Sequence, residues 1–180
     1  NSSKHFFTTF RYYLGYKDSL RAIASETFTA VSAPIQFASI KAYSEDHSEF
    51  LENSRTILET IADYVYRELS SVGVNCQRPQ GGFYMICDFS NIPNIANKFN
   101  DDKTLCQTIL NEVGFAMLPG SDFGLKDDEL LSRIAFVDFD GAEALKFIEN
   151  DDFSSNHLLD IICPQIVKGV SLLKEWLKNQ

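Results

Sequence analysis

The fold is decided by two neighbouring stretches, LPGSDFG at residues 118–124 and LSRIAFVDFD at residues 131–140. The first contains a Pro-Gly pair directly after the apolar run 115–118, which predicts a short strand that stops at a tight turn. The second alternates in polarity, which predicts a strand over residues 131–138.

One charged residue, Arg133, stands among the apolar residues of the second stretch. An unpaired charge is costly to bury, so its guanidinium needs an anionic partner. One candidate partner is an acid of the protein itself, Asp122 or Asp138. The other is the carboxylate of a ligand, because a guanidinium donates two parallel hydrogen bonds and stays charged at any working pH. The loop 118–124 that precedes Arg133 favours the ligand.

Helix and strand signals alternate along the rest of the chain. Helices are predicted over residues 32–44, 45–71, 101–113, from 141 onward, and over 157–178 with a break at 164, and a further strand over 81–89. Helices that alternate with strands predict an α/β (α+β) fold in which a short sheet packs against helices.

Composition and charge exclude several classes of protein. The net charge is -9, and no basic face is visible for binding nucleic acid. No apolar run approaches the ~20 residues that cross a bilayer, and the first residues lack the order of a signal peptide. These features predict a cytoplasmic protein that binds neither nucleic acid nor a membrane.

The four cysteines and three histidines show no metal-ligand spacing. We therefore expect no metal site. Cys76 and Cys87 flank a Gly-Gly turn and face each other if the turn joins two strands. A disulfide between them is therefore one alternative. Free and mostly buried thiols are the interpretation that the sequence favours.

Four local features occur in a fixed order. They are Ser3-Lys4 followed by Arg11, SAPIQFA at 32–38, GGFY at 81–84, and the loop 118–124 followed by RIAF at 133–136. This order resembles the carboxy-terminal portion of the class I/II, fold-type-I pyridoxal-phosphate aminotransferases. The resemblance covers nearly the whole chain. It implies that residues 1–44 are the last piece of the large cofactor-binding domain, with a linking helix, and that residues 45–180 are the small domain.

The resemblance also implies roles for four residues. Lys4 would be the Schiff-base lysine and Arg11 would bind the cofactor phosphate, although two tyrosines separate Arg11 from the Leu-Gly pair that the family places directly after its arginine. Arg133 would bind the substrate carboxylate, and Tyr84 would line the substrate side. Judged from the residues alone, Lys4 fits an ordinary exposed lysine near a chain end as well as it fits a Schiff-base lysine. For Tyr84, the residues alone favour a role in filling the core.

The implied function is transfer of an amino group between an amino acid and a 2-oxo acid, by a homodimer that uses pyridoxal phosphate. Three parts of the cofactor pocket lie upstream of the lysine in the family: an acid for the pyridinium nitrogen, a glycine-rich helix start and a stacked aromatic ring. None is found here, so the isolated chain is predicted to be inactive and to bind the cofactor weakly. The alternatives are a lyase that uses the same cofactor, a non-catalytic amino-acid-binding or regulatory module, and a fragment without activity.

Overall fold

A computed structural model describes the backbone of residues 2–27, 31–149 and 154–180, and the side chains of residues 15–27, 31–149 and 154–180. The chain forms two compact units, residues 1–47 and residues 48–180. The division falls three residues after the predicted boundary at 44. Among the described residues, no helix has both the length and the apolar character to cross a membrane.

The first unit contains two helices, α1 (Ser2–Thr27) and α2 (Ala33–Ser44). Proline in the first turn of α2 suits a helix start, because the amide hydrogen that proline lacks has no partner there. No residue of α2 is buried within the part of the chain that the structure describes. Its exposed large apolar side chains are Ile35, Phe37, Ile40 and Tyr43. This helix therefore presents large apolar side chains that the described residues of its own unit leave exposed.

The second unit contains the remaining helices and a sheet. The helices are α3 (Ser48–Ser70), α4 (Pro93–Lys98), α5 (Asp102–Val113), α6 (Gly141–Ile148), α7 (Ser155–His157) and α8 (Pro164–Lys178). A 3-10 turn covers Gly120–Phe123, and a π-helical turn covers Leu158–Ile162. The strands are β1 (Asn75–Cys76), β2 (Tyr84–Asp88), β3 (Leu118–Pro119) and β4 (Leu131–Ala135).

The four strands form one antiparallel sheet in the order β1-β2-β4-β3. Side chains alternate between its two faces, as the pleat requires. The core-facing side chains of β2 and β4 are Met85, Cys87, Ser132 and Ile134, all buried. The opposite face carries Arg133 and the partly exposed side chains beside it. The sheet thus has one packed face and one open face.

The core lies between the packed face of the sheet and the helices. In α3, apolar residues recur every four positions, so that they line one side of the helix. The helical contribution to the core is led by Ile57, Ile61, Val65 and Leu69 of α3, Leu105 and Ile109 of α5, and Ile166, Val170, Leu173 and Leu177 of α8. The α/β fold, with a short sheet packed against helices, is confirmed.

All three predicted strands are longer than those observed, and the strand predicted over residues 81–89 is reduced to β2 (Tyr84–Asp88). The strand predicted over residues 115–118 was placed wrongly, because β3 is an edge strand whose only paired residues, Leu118 and Pro119, face two residues of β4. The strand predicted over residues 131–138 ends at Ala135. Ala135 pairs with Tyr84, where β2 begins, so the residues after it have no strand to pair with.

Candidate functional site

Arg133 occupies the middle of the open face of the sheet. Its strand, β4, lies between β2 and β3, and the residues opposite Arg133 in the two neighbours are Ile86 and Leu118. Because the sheet alternates inward and outward side chains, the buried Ser132 and Ile134 on either side force Arg133 outward. The backbone register therefore fixes where the guanidinium emerges.

The guanidinium of Arg133 lies between two aromatic rings. Its Cζ atom is 4.1 Å from the ring centre of Tyr84 and 3.9 Å from that of Phe123. Both rings are less than half exposed, at 43% and 45%. Aromatic faces attract a guanidinium and limit its rotation, while its N–H edge stays available for hydrogen bonds. The two rings therefore restrict the orientation of the guanidinium and leave its N–H edge free to donate.

No carboxylate of the described residues lies within 4.0 Å of the Arg133 guanidinium. Asp122, one of the two acids named above as candidate partners, pairs with Lys103 at 4.0 Å instead. The hypothesis that Arg133 pairs with an acid of its own domain is therefore wrong for the part of the chain that the structure describes. Tyr84 does not fill the core either, because it lies on the open face against Arg133.

The 3-10 turn that carries Phe123 is packed tightly on β4. A Cβ atom at Gly120 would lie 2.9 Å from the Cβ of Leu131 and 3.1 Å from its carbonyl oxygen. The turn closes at Gly124, whose φ of +85° suits glycine, and the Gly124 N–H donates to the Ser121 carbonyl at 3.2 Å. Glycines at these two positions let the turn approach β4, so the Phe123 ring reaches Arg133.

A second glycine turn precedes Tyr84. Gly82 has a φ of +70°, a conformation that side chains disfavour. The turn leads into β2, and the Phe83 and Tyr84 rings lie 4.3 Å apart between centres. The N–H of Phe136 donates to the carbonyl of Phe83 at 3.2 Å, which ties the turn to the end of β4. Both aromatic partners of Arg133 are thus placed by turns anchored on its own strand.

The four cysteines are free and buried, as the sequence predicts. Cys76 and Cys87 face each other across β1 and β2, and their sulfurs are 3.2 Å apart. This hydrogen bond, together with burial, raises the pKa of Cys87. Burial raises the pKa of Cys106 to about 12 and that of Cys163 to about 11. Thiols protonated at neutral pH are poor nucleophiles, so these cysteines do not point to cysteine-based catalysis.

The raised thiol pKa values predict a loss of stability at alkaline pH. In the unfolded chain these thiols ionise near pH 9.0, whereas in the folded chain they stay neutral. The contribution of these buried thiols to the free energy of unfolding is therefore complete below pH 9. It declines as the pH rises towards 11 to 12, because the unfolded chain then loses protons that the folded chain keeps. We expect urea denaturation between pH 8 and 11 to show a smaller decline for a Cys106→Ala/Cys163→Ala variant than for the unchanged protein. Equal slopes would contradict the prediction.

Comparison with known proteins identifies the family. The model of the family described as "Aminotransferase class I and II" matches residues 15–148, about three quarters of the chain. The chain belongs to this family. Members use pyridoxal phosphate as their cofactor. The matched residues include Tyr84, Phe123 and Arg133 and begin after Lys4 and Arg11.

Curated relatives of this aminotransferase-family chain include bacterial aspartate aminotransferases. The chain is 31% identical over 143 residues to the aspartate aminotransferase of Geobacillus stearothermophilus, and 30% identical over 145 residues to that of Bacillus subtilis. Each comparison covers 76% of this chain and 36% of the relative. The chain thus spans little more than a third of the length of the relatives that it matches.

Solved structures of aminotransferases share the fold. The aspartate aminotransferase of Rhizobium meliloti superposes with a TM-score of 0.59 at 18% identity, over 87% of this chain and 34% of that one. The Thermus thermophilus enzyme with maleate gives 0.58 at 20% identity, over 86% of this chain and 32% of that one. At these identities the likeness shows the fold of the aminotransferase family and nothing finer.

The predicted site residues separate into two groups. Tyr84 and Arg133 are brought into contact by neighbouring strands of the second unit. Lys4 and Arg11 lie in α1, and their side chains lie outside the described residues. The cofactor-binding roles of Lys4 and Arg11 in this aminotransferase chain therefore stay predictions.

Sequence reasoning missed one residue of the site, Phe123, and one residue behind it, Asp102. Phe123 stands in the quoted loop, but its ring gave no sign that it would stack on Arg133. Asp102 lies near the start of the helix predicted over residues 101–113, where the sequence assigns it no role, yet it is fully buried and accepts hydrogen bonds from Ser121. One sign was available in the sequence. Asp101 already serves as the N-cap of α5, so the adjacent Asp102 is not needed for that role.

Proposed function

We propose that the protein transfers an amino group between an amino acid and a 2-oxo acid, and that Arg133 binds the α-carboxylate of both substrates. The observation that carries this proposal is the Arg133 guanidinium held between Tyr84 and Phe123 on the open face of the sheet. Both substrates carry a carboxylate next to the reacting carbon. A guanidinium fixed in this way binds that group with two hydrogen bonds and orients the neighbouring carbon.

Pyridoxal phosphate is the cofactor that this proposal requires. Its aldehyde and phosphate are matched in type by a lysine amine and a guanidinium, which Lys4 and Arg11 would provide. When bound, the cofactor would supply an electron sink for the electron pair left on Cα once its proton is removed. Lys4 would hold the cofactor covalently before the substrate binds; after the substrate displaces it, its free amine would move the Cα proton, while Arg133 would keep the Cα atom in place.

The two units are proposed to be parts of a larger homodimeric, cytoplasmic enzyme. The first would be the end of the cofactor-binding domain, and the second the small domain. The exposed apolar side chains of α2 support an assembly, because large apolar side chains grouped on one exposed helix are suited to burial against another part of an assembly. The four buried free thiols are compatible with a reducing compartment. Light scattering of the complete gene product would show a mass of twice the monomer.

An amino-transfer assay of the complete gene product tests the function. Since the relatives are named aspartate aminotransferases, the first pair to test is ¹⁵N-labelled aspartate with 2-oxoglutarate. Cofactor-dependent appearance of ¹⁵N-glutamate is the expected result. Release of free ammonia or carbon dioxide without a new amino acid would instead indicate a lyase. Calorimetric binding of amino acids without cofactor, and no turnover, would indicate a binding module.

The isolated chain of 180 residues is expected to bind the cofactor weakly and to be inactive. It lacks an identifiable acid for the pyridinium nitrogen and a glycine-rich phosphate site, and each such contact that is missing weakens binding. The measurement is visible absorbance of the chain after addition of pyridoxal phosphate and gel filtration. A stable cofactor band that Lys4→Ala abolishes would overturn this prediction. The complete gene product provides the positive control.

A further inference from the structure

The 3-10 turn that carries Phe123 is held by a carboxylate that lies outside the candidate site. Asp102, the first residue of α5, is fully buried. One of its oxygens accepts the Ser121 N–H at 2.7 Å, and the other accepts the Ser121 hydroxyl at 2.9 Å. Both carboxylate oxygens are thus used by one residue of the 3-10 turn that carries Phe123.

Asp102 also holds the far end of the same loop. Its backbone N–H donates to the carbonyl of Asp127 at 2.9 Å. The loop that leaves β3 and returns towards β4 is therefore attached to the start of α5 at Ser121 and again at Asp127. Phe123 lies between these two attachments, and its distance to Arg133 depends on both.

A buried carboxylate is a poor way to gain stability alone. Removing it from water costs several kcal/mol, and an apolar pair of similar volume often stabilises a fold equally well. What two hydrogen bonds to one residue provide is a fixed geometry. Here the geometry that they fix is that of the turn next to Arg133.

We propose that Asp102 is a positioning residue of the carboxylate site. It holds Ser121, which places the Phe123 ring against the guanidinium, and the ring sets the orientation in which Arg133 meets a substrate carboxylate. The proposal rests on the function proposed for Arg133. The contact between guanidinium and carboxylate is present before and during the reaction, so loosening it weakens binding and leaves turnover of the bound substrate nearly unchanged.

The test is steady-state kinetics of Asp102→Ala in the complete gene product with saturating cofactor. We expect KM for both the amino acid and the 2-oxo acid to rise about tenfold, with kcat changed by less than about twofold. Asp102→Asn keeps an acceptor for the Ser121 N–H and is expected to restore most of the affinity. Hydrogen exchange gives a readout apart from activity, because the Ser121 amide should exchange faster in Asp102→Ala.

The matched control is the neighbouring acid. Asp101 caps α5 by accepting the N–H and hydroxyl of Thr104 at 2.7 and 2.8 Å, and it does not contact the turn. Asp101→Ala removes a cap worth about 1 kcal/mol of stability. It is expected to leave KM and Ser121 exchange unchanged. A purely structural role for Asp102 would make both variants alike, with lower kcat from a smaller folded fraction and the same KM.

Combination with Arg133→Lys separates the two proposals. If Asp102 acts through Arg133, adding Asp102→Ala to Arg133→Lys raises KM by less than about twofold, because a lysine amine does not stack as a guanidinium does. An unchanged KM in Asp102→Ala beside a raised KM in Arg133→Lys overturns the positioning role alone. An unchanged KM in Arg133→Lys overturns the function proposed for Arg133 as well.

A milder variant covers the case in which Asp102→Ala fails to fold. Ser121→Ala removes only the hydroxyl bond and keeps the backbone N–H bond to Asp102. It is expected to raise KM about threefold, since one neutral donor to a charged acceptor is lost. If Ser121→Ala folds and shows an unchanged KM, the positioning role of Asp102 is overturned.

Discussion

Replacing Arg133 by leucine is expected to lower kcat/KM for both substrates by roughly 100-fold or more. Removing one partner of a hydrogen-bonded charge pair costs about 2–5 kcal/mol, and about 1.4 kcal/mol corresponds to a tenfold change. The sandwich between Tyr84 and Phe123 has room for an apolar side chain, so the fold should survive. Circular dichroism with the kinetics would show a folded protein that binds its substrates poorly.

The conservative replacement Arg133→Lys gives the sharper version of this experiment. Lysine keeps the positive charge but loses the planar fork and the ring stacking, so most of the affinity should be lost although the charge remains. The control is Arg78→Leu. Arg78 is an exposed arginine of the same unit, paired with Asp63 at 2.7 Å, and a surface pair of this kind is worth about 0–1 kcal/mol. Equal activity of the Arg133 and Arg78 variants would remove Arg133 from the site.

Gly120→Ala is expected to lower the free energy of unfolding by about 2 kcal/mol, as overpacked sites typically do. The added Cβ atom would meet the Cβ of Leu131 at 2.9 Å and its carbonyl oxygen at 3.1 Å. Both atoms belong to β4, and backbone in a central strand yields little. The turn must therefore move away from β4 and carry Phe123 with it, so weaker substrate binding should accompany the loss of stability. Urea denaturation and KM measure the two effects.

The same substitution at Gly141 serves as its control. Gly141 is the first residue of α6, and no other atom lies within 4 Å of the position that a Cβ would occupy. Alanine favours a helix over glycine, so Gly141→Ala is expected to raise stability by about 0.5 kcal/mol. Opposite signs at the two positions would show that close packing at Gly120 causes the loss. A neutral Gly120→Ala variant would contradict this.

The sequence was sufficient to predict elements with strong local patterns. These patterns involve residues that are close in the sequence. They are the apolar spacing of α3, the cap of α5 at Asp101 and the glycine that ends α5. The lengths of β3 and β4 were mispredicted because a strand ends where its partner ends. For β4 that limit lies in the register with β2 and for β3 in the register with β4, and local periodicity contains neither.

The site was predictable where it depended on a motif and obscure where it depended on distant contacts. The importance of Arg133 followed from its chemistry and from the loop before it. The bond between Asp102 and Ser121 joins residues nineteen positions apart, and the aspartate looked like an ordinary acid at a helix start. Burial distinguishes the two neighbouring aspartates, and burial depends on the tertiary fold.

The edges of the sheet offer little for another chain to extend. Each outer strand, β1 and β3, is two residues long, and β3 includes Pro119, which has no amide hydrogen to donate. Short edges with a proline resist the edge-to-edge association that leads to aggregation. A molecule that approaches this sheet therefore meets mainly the side chains of its open face. It finds few backbone groups at the sheet edges with which to form hydrogen bonds.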